Sequence, residues 1–435
     1  MRLIEAASLK LCTVGVNGDV PAYAILSHTW GRTEVSLQEF ADPSLGAKDT
    51  SMEIGSGYWK IKKACEQALR DNLEYVWVDT CCIDKTSSAE LSEAINSMFR
   101  WYKEAEVCYA YLCDVVGYFH PFDDDEGEDP HKYEGYNTAL LEESRWFKRG
   151  WTLQELLAPN NVRFYQHSWS YIGNKMQLCR TIENITGISA DVLRTGKMED
   201  ESIAKRMSWM VGRETTRSED MAYSLMGIFD VNMPLLYGEG DKAFVRLQEE
   251  IMKDSADNSL FAWNTLRHPG YFSRPAPVLS SIFADWPLQF DSSNIWDKRR
   301  LDEDDARESY SLTNLGVRIK LRLKRYDHPW YGTKWGRDYE GKTFVAMLGC
   351  GFVDEADPVF KSCRPGIFLA QISPPRPEYS RISNGGIVTT TTCQETYEAL
   401  VKKGDKRVLL FTEEDALQTV YLRKKIPGWA QVSGT

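Results

Sequence analysis

Tyr23-Ala-Ile-Leu-Ser-His-Thr-Trp-Gly31 is an apolar run that breaks at its C-terminal end into small, polar and aromatic residues. Tyr75-Val-Trp-Val-Asp-Thr-Cys-Cys-Ile-Asp-Lys85 repeats the design. A short apolar run bounded in this way predicts a buried strand. In a parallel α/β sheet, the carboxyl ends of such strands are where ligands bind. A third stretch, Arg149-Gly-Trp-Thr-Leu-Gln-Glu-Leu-Leu-Ala-Pro159, sets Trp151 and Glu155 four residues apart in a short predicted helix, Thr152 to Ala158, that stops near Pro159. Function is expected where these three stretches converge.

Outward from them, strand and helix signals alternate over residues 1–175, which predicts an α/β domain with a mainly parallel sheet. Tyr23–Ser27, Tyr75–Asp79, Val107–Cys113 and Val162–Gln166 are the predicted strands, with Tyr23–Ser27 at the centre. Between them, Ile61, Ala64, Cys65, Ala68 and Leu69 recur at helical spacing over Tyr58–Asp71. Ser87-Ser-Ala-Glu90 is a capping-box sequence, and Leu91, Ala94, Ile95, Met98, Phe99 and Tyr102 follow as one apolar face. The polar stretch Val115–Glu143 reads as an insertion and contains the acidic run Asp123–Asp129. Residues 176–265 form a helical annex, expected to pack on the first domain. In residues 266–435 the pattern turns to alternation: Val317, Ile319, Leu321 and Leu323 interleave with Arg318, Lys320, Arg322 and Lys324. That is a half-buried strand with a basic outer face, one of several in a β-rich C-terminal domain.

The formal net charge of -11 argues against binding driven by neutralising nucleic-acid phosphates. The ten cysteines are scattered, without a paired CxxC zinc pattern, and no metal is expected. Met1-Arg-Leu-Ile-Glu5 is not a signal peptide, and no apolar run has the length of a membrane span. Free thiols in a reducing cytoplasm are the expectation. Fourteen Trp and twenty-one Tyr point to aromatic contacts that build the core and line a site.

The three stretches, in this order and spacing, resemble the HET domain of fungal heterokaryon-incompatibility proteins. Arg213-Glu-Thr-Thr-Arg-Ser-Glu-Asp-Met-Ala-Tyr-Ser-Leu-Met-Gly-Ile-Phe229 and Pro234-Leu-Leu-Tyr-Gly-Glu-Gly240 resemble the segment that commonly follows that domain. The resemblance implies a role in self/non-self recognition and programmed cell death. It also implies kinship with TIR domains, hence a flavodoxin-like fold. Many TIR domains cleave NAD at the nicotinamide-ribose bond with a glutamate in a Trp-x-x-x-Glu pattern, which Trp151-Thr-Leu-Gln-Glu155 has. The implied activity is NAD glycohydrolysis, with NAD as substrate and no cofactor. Self-association, with an upstream activator protein, is the implied switch. A rival reading is a non-catalytic oligomerising signal module.

Glu155 is the candidate catalytic carboxylate. Loss of nicotinamide passes through an oxocarbenium-like ribose, and the leaving group departs neutral, so one carboxylate suffices. Thr152-Leu-Gln-Glu155 is equally a capping-box sequence, with Trp151 and Leu156 as its hydrophobic staple. Ser27, His28, Trp30, Gly31, Asp79, Arg149 and Trp151 are candidates for binding the substrate. Gly31 would let backbone approach a ligand, Trp30 would stack on a ring, and Asp79 would bind ribose hydroxyls. Plainer roles compete: His28 and Trp30 as plugs of the sheet, Asp79 as a loop cap, Arg145 and Arg149 as surface charge. Cys81-Cys82 lacks a Cys-His-Asn arrangement around it. Phosphate-loop, GxGxxG, HExxH and GxSxG motifs are absent.

Overall fold

The computed structural model describes residues 1–14, 20–42, 53–117, 139–264, 278–291, 296–297, 310–326, 342–352, 363–372, 374–383, 387–391, 394–402, 408–412, 414–415 and 417–424. The acidic run Asp123–Asp129 lies outside them. The chain divides into two compact units. The first takes Met1–Met198 and Gly212–Gly238; the second takes Glu199–Val211 and Glu239–Thr435. The helical stretch 176–265 is therefore shared between the two.

The first unit is built on a seven-stranded sheet. Its strands are β1 (Arg2–Glu5), β2 (Lys10–Thr13), β3 (Tyr23–His28), β4 (Tyr75–Trp77), β5 (Val107–Tyr111), β6 (Val162–Tyr165) and β7 (Tyr171–Asn174). They lie side by side in the order β2-β1-β4-β3-β5-β6-β7. β4, β3, β5 and β6 are parallel, and Ile25 pairs with both Trp77 and Cys108. The winding reverses between β3 and β5, which opens a crevice at their carboxyl ends. Every residue of β3 and β5 is buried, as strands covered on both faces require. The edges depart from expectation. β1–β2 is an antiparallel hairpin and β7 pairs antiparallel with β6. β1, β2 and β7 are four residues each and partly exposed, too short to carry a clear apolar run.

Helices α1 (Leu37–Ala41), α2 (Gly57–Arg70), α3 (Ser88–Glu104), α4 (Arg145–Lys148) and α5 (Thr152–Leu157) complete the framework. α2 packs on β3 and β4. It buries Trp59, Lys60, Ile61, Ala64, Cys65 and Ala68, while Leu69, read as part of that face, is 45% exposed. α3 starts at Ser87, whose hydroxyl accepts from the Glu90 amide at 3.3 Å. The capping box is not reciprocal: Glu90 accepts from Arg2 and from the Asp84 amide instead. Aromatic side chains fill the core on both sides of the sheet. Trp59, Tyr111, Tyr165 and Trp169 form one cluster; Trp77, Trp101 and Tyr102 form another.

The segment 212–238 is an integral part of this unit. Glu214 bridges Arg149 in parallel, and the Gly150 amide donates to the Glu214 carbonyl at 2.8 Å. Asn96 on α3 donates to the Met233 carbonyl at 3.5 Å. In the second unit, the helix Lys242–Asp254 buries Phe244, Leu247 and Ile251, one face as its spacing predicts. A predominantly antiparallel sheet follows, in which Gly316–Arg325 alternates buried apolar with outward basic residues. Arg381 is buried there against the Trp263 ring at 3.5 Å and donates to the carbonyls of Phe261 and Trp263. No disulfide joins cysteines among the described residues, and no described helix is long and apolar enough to cross a membrane.

Gly227 tests whether 212–238 belongs to the first unit. A Cβ there would lie 2.2 Å from the Cβ of Phe99 on α3. Gly227→Ala is expected to cost about 1–3 kcal/mol of stability in a denaturant titration. In a Phe99→Gly background the same change should cost far less, because both the obstructing Cβ and the ring are gone.

Candidate functional site

The carboxyl end of β3 places Ser27 and His28 on opposite sides of the strand, because successive side chains alternate. Each anchors a separate cluster of polar groups.

Ser27 faces the helix that carries Glu155. Its hydroxyl accepts from the Trp146 indole N–H at 2.8 Å and donates to Glu155 Oε2. Tyr102, on α3, donates to the Leu26 carbonyl at 3.2 Å and is near enough to Glu155 to favour its ionised form. Glu155 is not a helix cap. Trp151 occupies the cap position with helical dihedrals and no side-chain cap bond, and Thr152 Oγ1 donates to the carbonyls of Trp146 and Arg149. The capping-box alternative is thus overturned: residues 150–152 are already turning, so Thr152 lies inside the helix.

All six residues of α5 are buried, so both its ends need partners. At its C-terminus the buried Lys175 ammonium donates to the carbonyls of Leu156, at 3.3 Å, and Pro159. At its N-terminus the buried Arg213 guanidinium donates to the Arg149 carbonyl at 3.0 Å and to Thr152 Oγ1 at 3.2 Å. Burial pushes Lys175 down to about 8. It pushes Arg213 down to about 10 against the opposing charge of Glu155. Glu155 itself is pushed up to about 8. Burial is the main cause and the charge of Asp79 adds to it, while the bond from Ser27, the nearby Tyr102 hydroxyl and the charge of Arg149 act the other way.

His28 faces a second cluster. Its Nδ1 lies 2.9 Å from the Lys60 ammonium and its Nε2 lies 3.2 Å from Asp79 Oδ1. Lysine can only donate, so Nδ1 accepts and Nε2 carries the proton toward Asp79. Lys60 is 1% exposed and pairs with Glu34, which also accepts from the Gly31 amide. The Trp30 indole donates to Asp79 Oδ2 at 2.8 Å, and the Lys85 ammonium lies 3.7 Å above its ring. Burial raises the Asp79 carboxyl, but the bonds from His28 and Trp30 and the charge of Lys85 outweigh it and hold it at about 2.

The structure brings Ser27 and Glu155 into contact, and His28, Trp30 and Asp79 into contact beside them. Arg149 reaches Thr216 at 3.3 Å and acts on Glu155 by charge. Trp151 acts on Asp220 and is not among the groups that act on Glu155. Gly31 meets no demand for glycine, since a Cβ would sit 3.5 Å from Glu34 in ordinary contact. Reading the sequence missed Lys60, Glu34, Tyr102, Trp146, Lys175 and Arg213 as site residues. A lysine inside the apolar face of α2 was the one available signal. Among the described residues no cluster of His, Cys, Asp and Glu is placed to hold a metal.

Residues 23–155 match the family model for the heterokaryon incompatibility protein (HET), and residues 242–301 match a domain of unknown function, DUF8212. Over 260 residues, 58% of this chain, the sequence is 46% identical to the vegetative incompatibility protein HET-E-1 of Podospora anserina. The matched region covers 18% of that relative's length. No solved structure matches.

The raised Glu155 carboxyl has a stability signature. The folded chain keeps that proton to about pH 8, whereas the unfolded chain releases it near the ordinary value of 4.5. Between these, the unfolded state binds fewer protons, so stability falls as pH rises. Glu155→Gln does not titrate. Its unfolding free energy should gain on the wild type from pH 5 to pH 8, by at most about 1.4 kcal/mol per pH unit, and the gap should level off above. A gap that is constant from pH 5 to pH 9 would place this titration elsewhere.

Proposed function

The chain carries a HET domain, and from that premise we propose that its first unit is an NAD glycohydrolase. The reaction releases nicotinamide and an ADP-ribose product. It would serve heterokaryon incompatibility, where exhausting NAD kills the cell. The observation that carries this reading is Glu155: a buried carboxyl that caps nothing and is held by Ser27 at the end of the central strand. The strand order supports a flavodoxin-like, TIR-like sheet. In chain order the parallel strands stand second, first, third, fourth, and Ser27 lies at the switch point where such sheets bind ligands.

The chemistry asks little of the protein. The pyridinium leaves as neutral nicotinamide while positive charge grows on the ribose, as in glycoside cleavage. An ionised Glu155, fixed by Ser27, would stabilise that charge without reorganising. Trp146 holds Ser27, and Arg213 and Lys175 hold the helix, so the carboxylate is aimed by parts that do not touch substrate. Self-association of the chain and an upstream activator remain part of the proposal as the switch.

Nicotinamide release from purified, assembled protein is the test. Glu155→Gln should stay folded and lower turnover by about a hundredfold or more. In the wild type, kcat/KM should rise about tenfold per pH unit up to about pH 8 and then level, because it follows the ionised fraction of Glu155 in the free enzyme. Wild-type turnover in the folded Gln variant, or no release from assembled wild type, would refute the assignment. The second outcome would leave an oligomerising signal module.

A further inference from the structure

The site holds two carboxyl groups in opposite circumstances. Glu155 is enclosed by Ser27, Tyr102 and apolar packing. Asp79 sits at the rim with one donor on each oxygen: His28 Nε2 at 3.2 Å on Oδ1 and the Trp30 indole at 2.8 Å on Oδ2. A carboxylate accepts about four hydrogen bonds, so each oxygen keeps an acceptor direction for a ligand. The donor on Oδ1 is itself fixed. The Lys60 ammonium, buried and paired with Glu34, donates to His28 Nδ1 at 2.9 Å and so directs the other ring proton at Asp79. Lys60 and Glu34 cancel in charge, which leaves the negative charge of this cluster on Asp79.

The protein's own cation marks what that charge attracts. Lys85 is exposed, and its ammonium lies 3.7 Å over the ring of Trp30, the residue that holds Asp79 Oδ2. An anion beside the open ring of a tryptophan that is 48% exposed is a subsite for a flat cation. Oxidised NAD carries such a cation, its pyridinium ring; the reduced dinucleotide carries a neutral ring of the same outline.

Resting on the reading of this site as one that cleaves NAD, we infer that Asp79 and Trp30 form the subsite that selects the oxidised dinucleotide over the reduced one. Lys60 and His28 are positioning residues that act through Asp79, and Lys85 occupies the subsite until the pyridinium displaces it. Glu155 has a different task, stabilising the ribose once bound. The charged and titratable groups that Asp79 acts on or that act on it are His28 from β3, Lys85 and Cys81 from its own loop, and, through charge alone, Tyr102 from α3 and Glu155 from α5. Of these, Glu155 is the one that changes charge near pH 8.

The measurement is calorimetric binding of carbocyclic NAD, which keeps the pyridinium but is not cleaved, against its reduced form. Wild-type full-length protein should prefer the oxidised form by at least tenfold already at pH 6. Asp79→Asn should reduce the preference to about twofold or less, with the loss in affinity for the oxidised form. Lys85→Met, at an exposed position, should tighten the oxidised form several-fold and leave the reduced form unchanged. Lys60→Met should weaken the preference in the manner of Asp79→Asn, and His28→Gln, which can still donate to Asp79, should retain more of it. An undiminished preference in folded Asp79→Asn would overturn the assignment. So would a wild-type preference that is absent at pH 6 and emerges only as pH passes 8, since that would follow Glu155. Should Asp79→Asn not fold, the wild-type pH series and Lys85→Met still decide. Wild-type protein that binds neither form would defeat the NAD reading itself; binding without preference would defeat only the role of Asp79.

Discussion

A carboxyl group withdrawn from water must find hydrogen-bond partners or give up its charge. Glu155 does both, and the first unit is organised around the bond from Ser27 that makes it possible. That bond ties α5 to the central strand. Trp146 holds Ser27, Tyr102 from α3 lies near the same carboxyl, and Arg213 and Lys175 satisfy the two ends of the helix. Trp146, Ser27 and Glu155 form a chain of buried polar groups, and Tyr102, Arg213 and Lys175 bond the backbone and Thr152 around it. A half-satisfied network of this kind costs more than an apolar core would, so its members stand or fall together.

The parts legible in the sequence were those with strong local signals. The runs Tyr23–Leu26 and Val107–Tyr111 are continuous and apolar, and they are the buried parallel centre of the sheet. The alternation through Val317–Leu323 and the spacing of Phe244, Leu247 and Ile251 were equally plain. What escaped was decided by tertiary partners. Thr152-Leu-Gln-Glu155 has the letters of a cap, but its frame is set one residue earlier, by Trp151 in helical geometry. Leu69 and Lys60 sit on the same helix with inverted places, the leucine outward and the lysine inward, because His28 and Glu34 supply what a buried ammonium needs. Arg213 lies far from α5 in sequence, and no periodicity can announce its bonds to the Arg149 carbonyl and Thr152.

Two carboxyl groups that influence each other across one site are pushed in opposite directions here. Asp79 is surrounded by donors and cations and stays ionised. Glu155 is surrounded by packing and stays neutral until alkaline pH. Environment, not residue type, separates their tasks, as it does wherever one site needs both a fixed charge and a switchable one. The cost is borne by the fold, since a buried Lys60 and a buried Arg213 must also be accommodated.

The first unit is discontinuous: the chain leaves it at Met198 and returns at Gly212 to finish at Gly238. During synthesis, the strands and the helix bearing Glu155 emerge first, yet Arg213 and the Glu214 bridge reach the ribosome's exit only later. At ordinary elongation rates of roughly 5–20 residues per second, that is a lag of several seconds. A nascent chain therefore carries its carboxylate before it carries the parts that hold it in place. Maturation of the site is timed by translation, and a chain cut short before residue 213 would lack that support, however complete its three opening motifs.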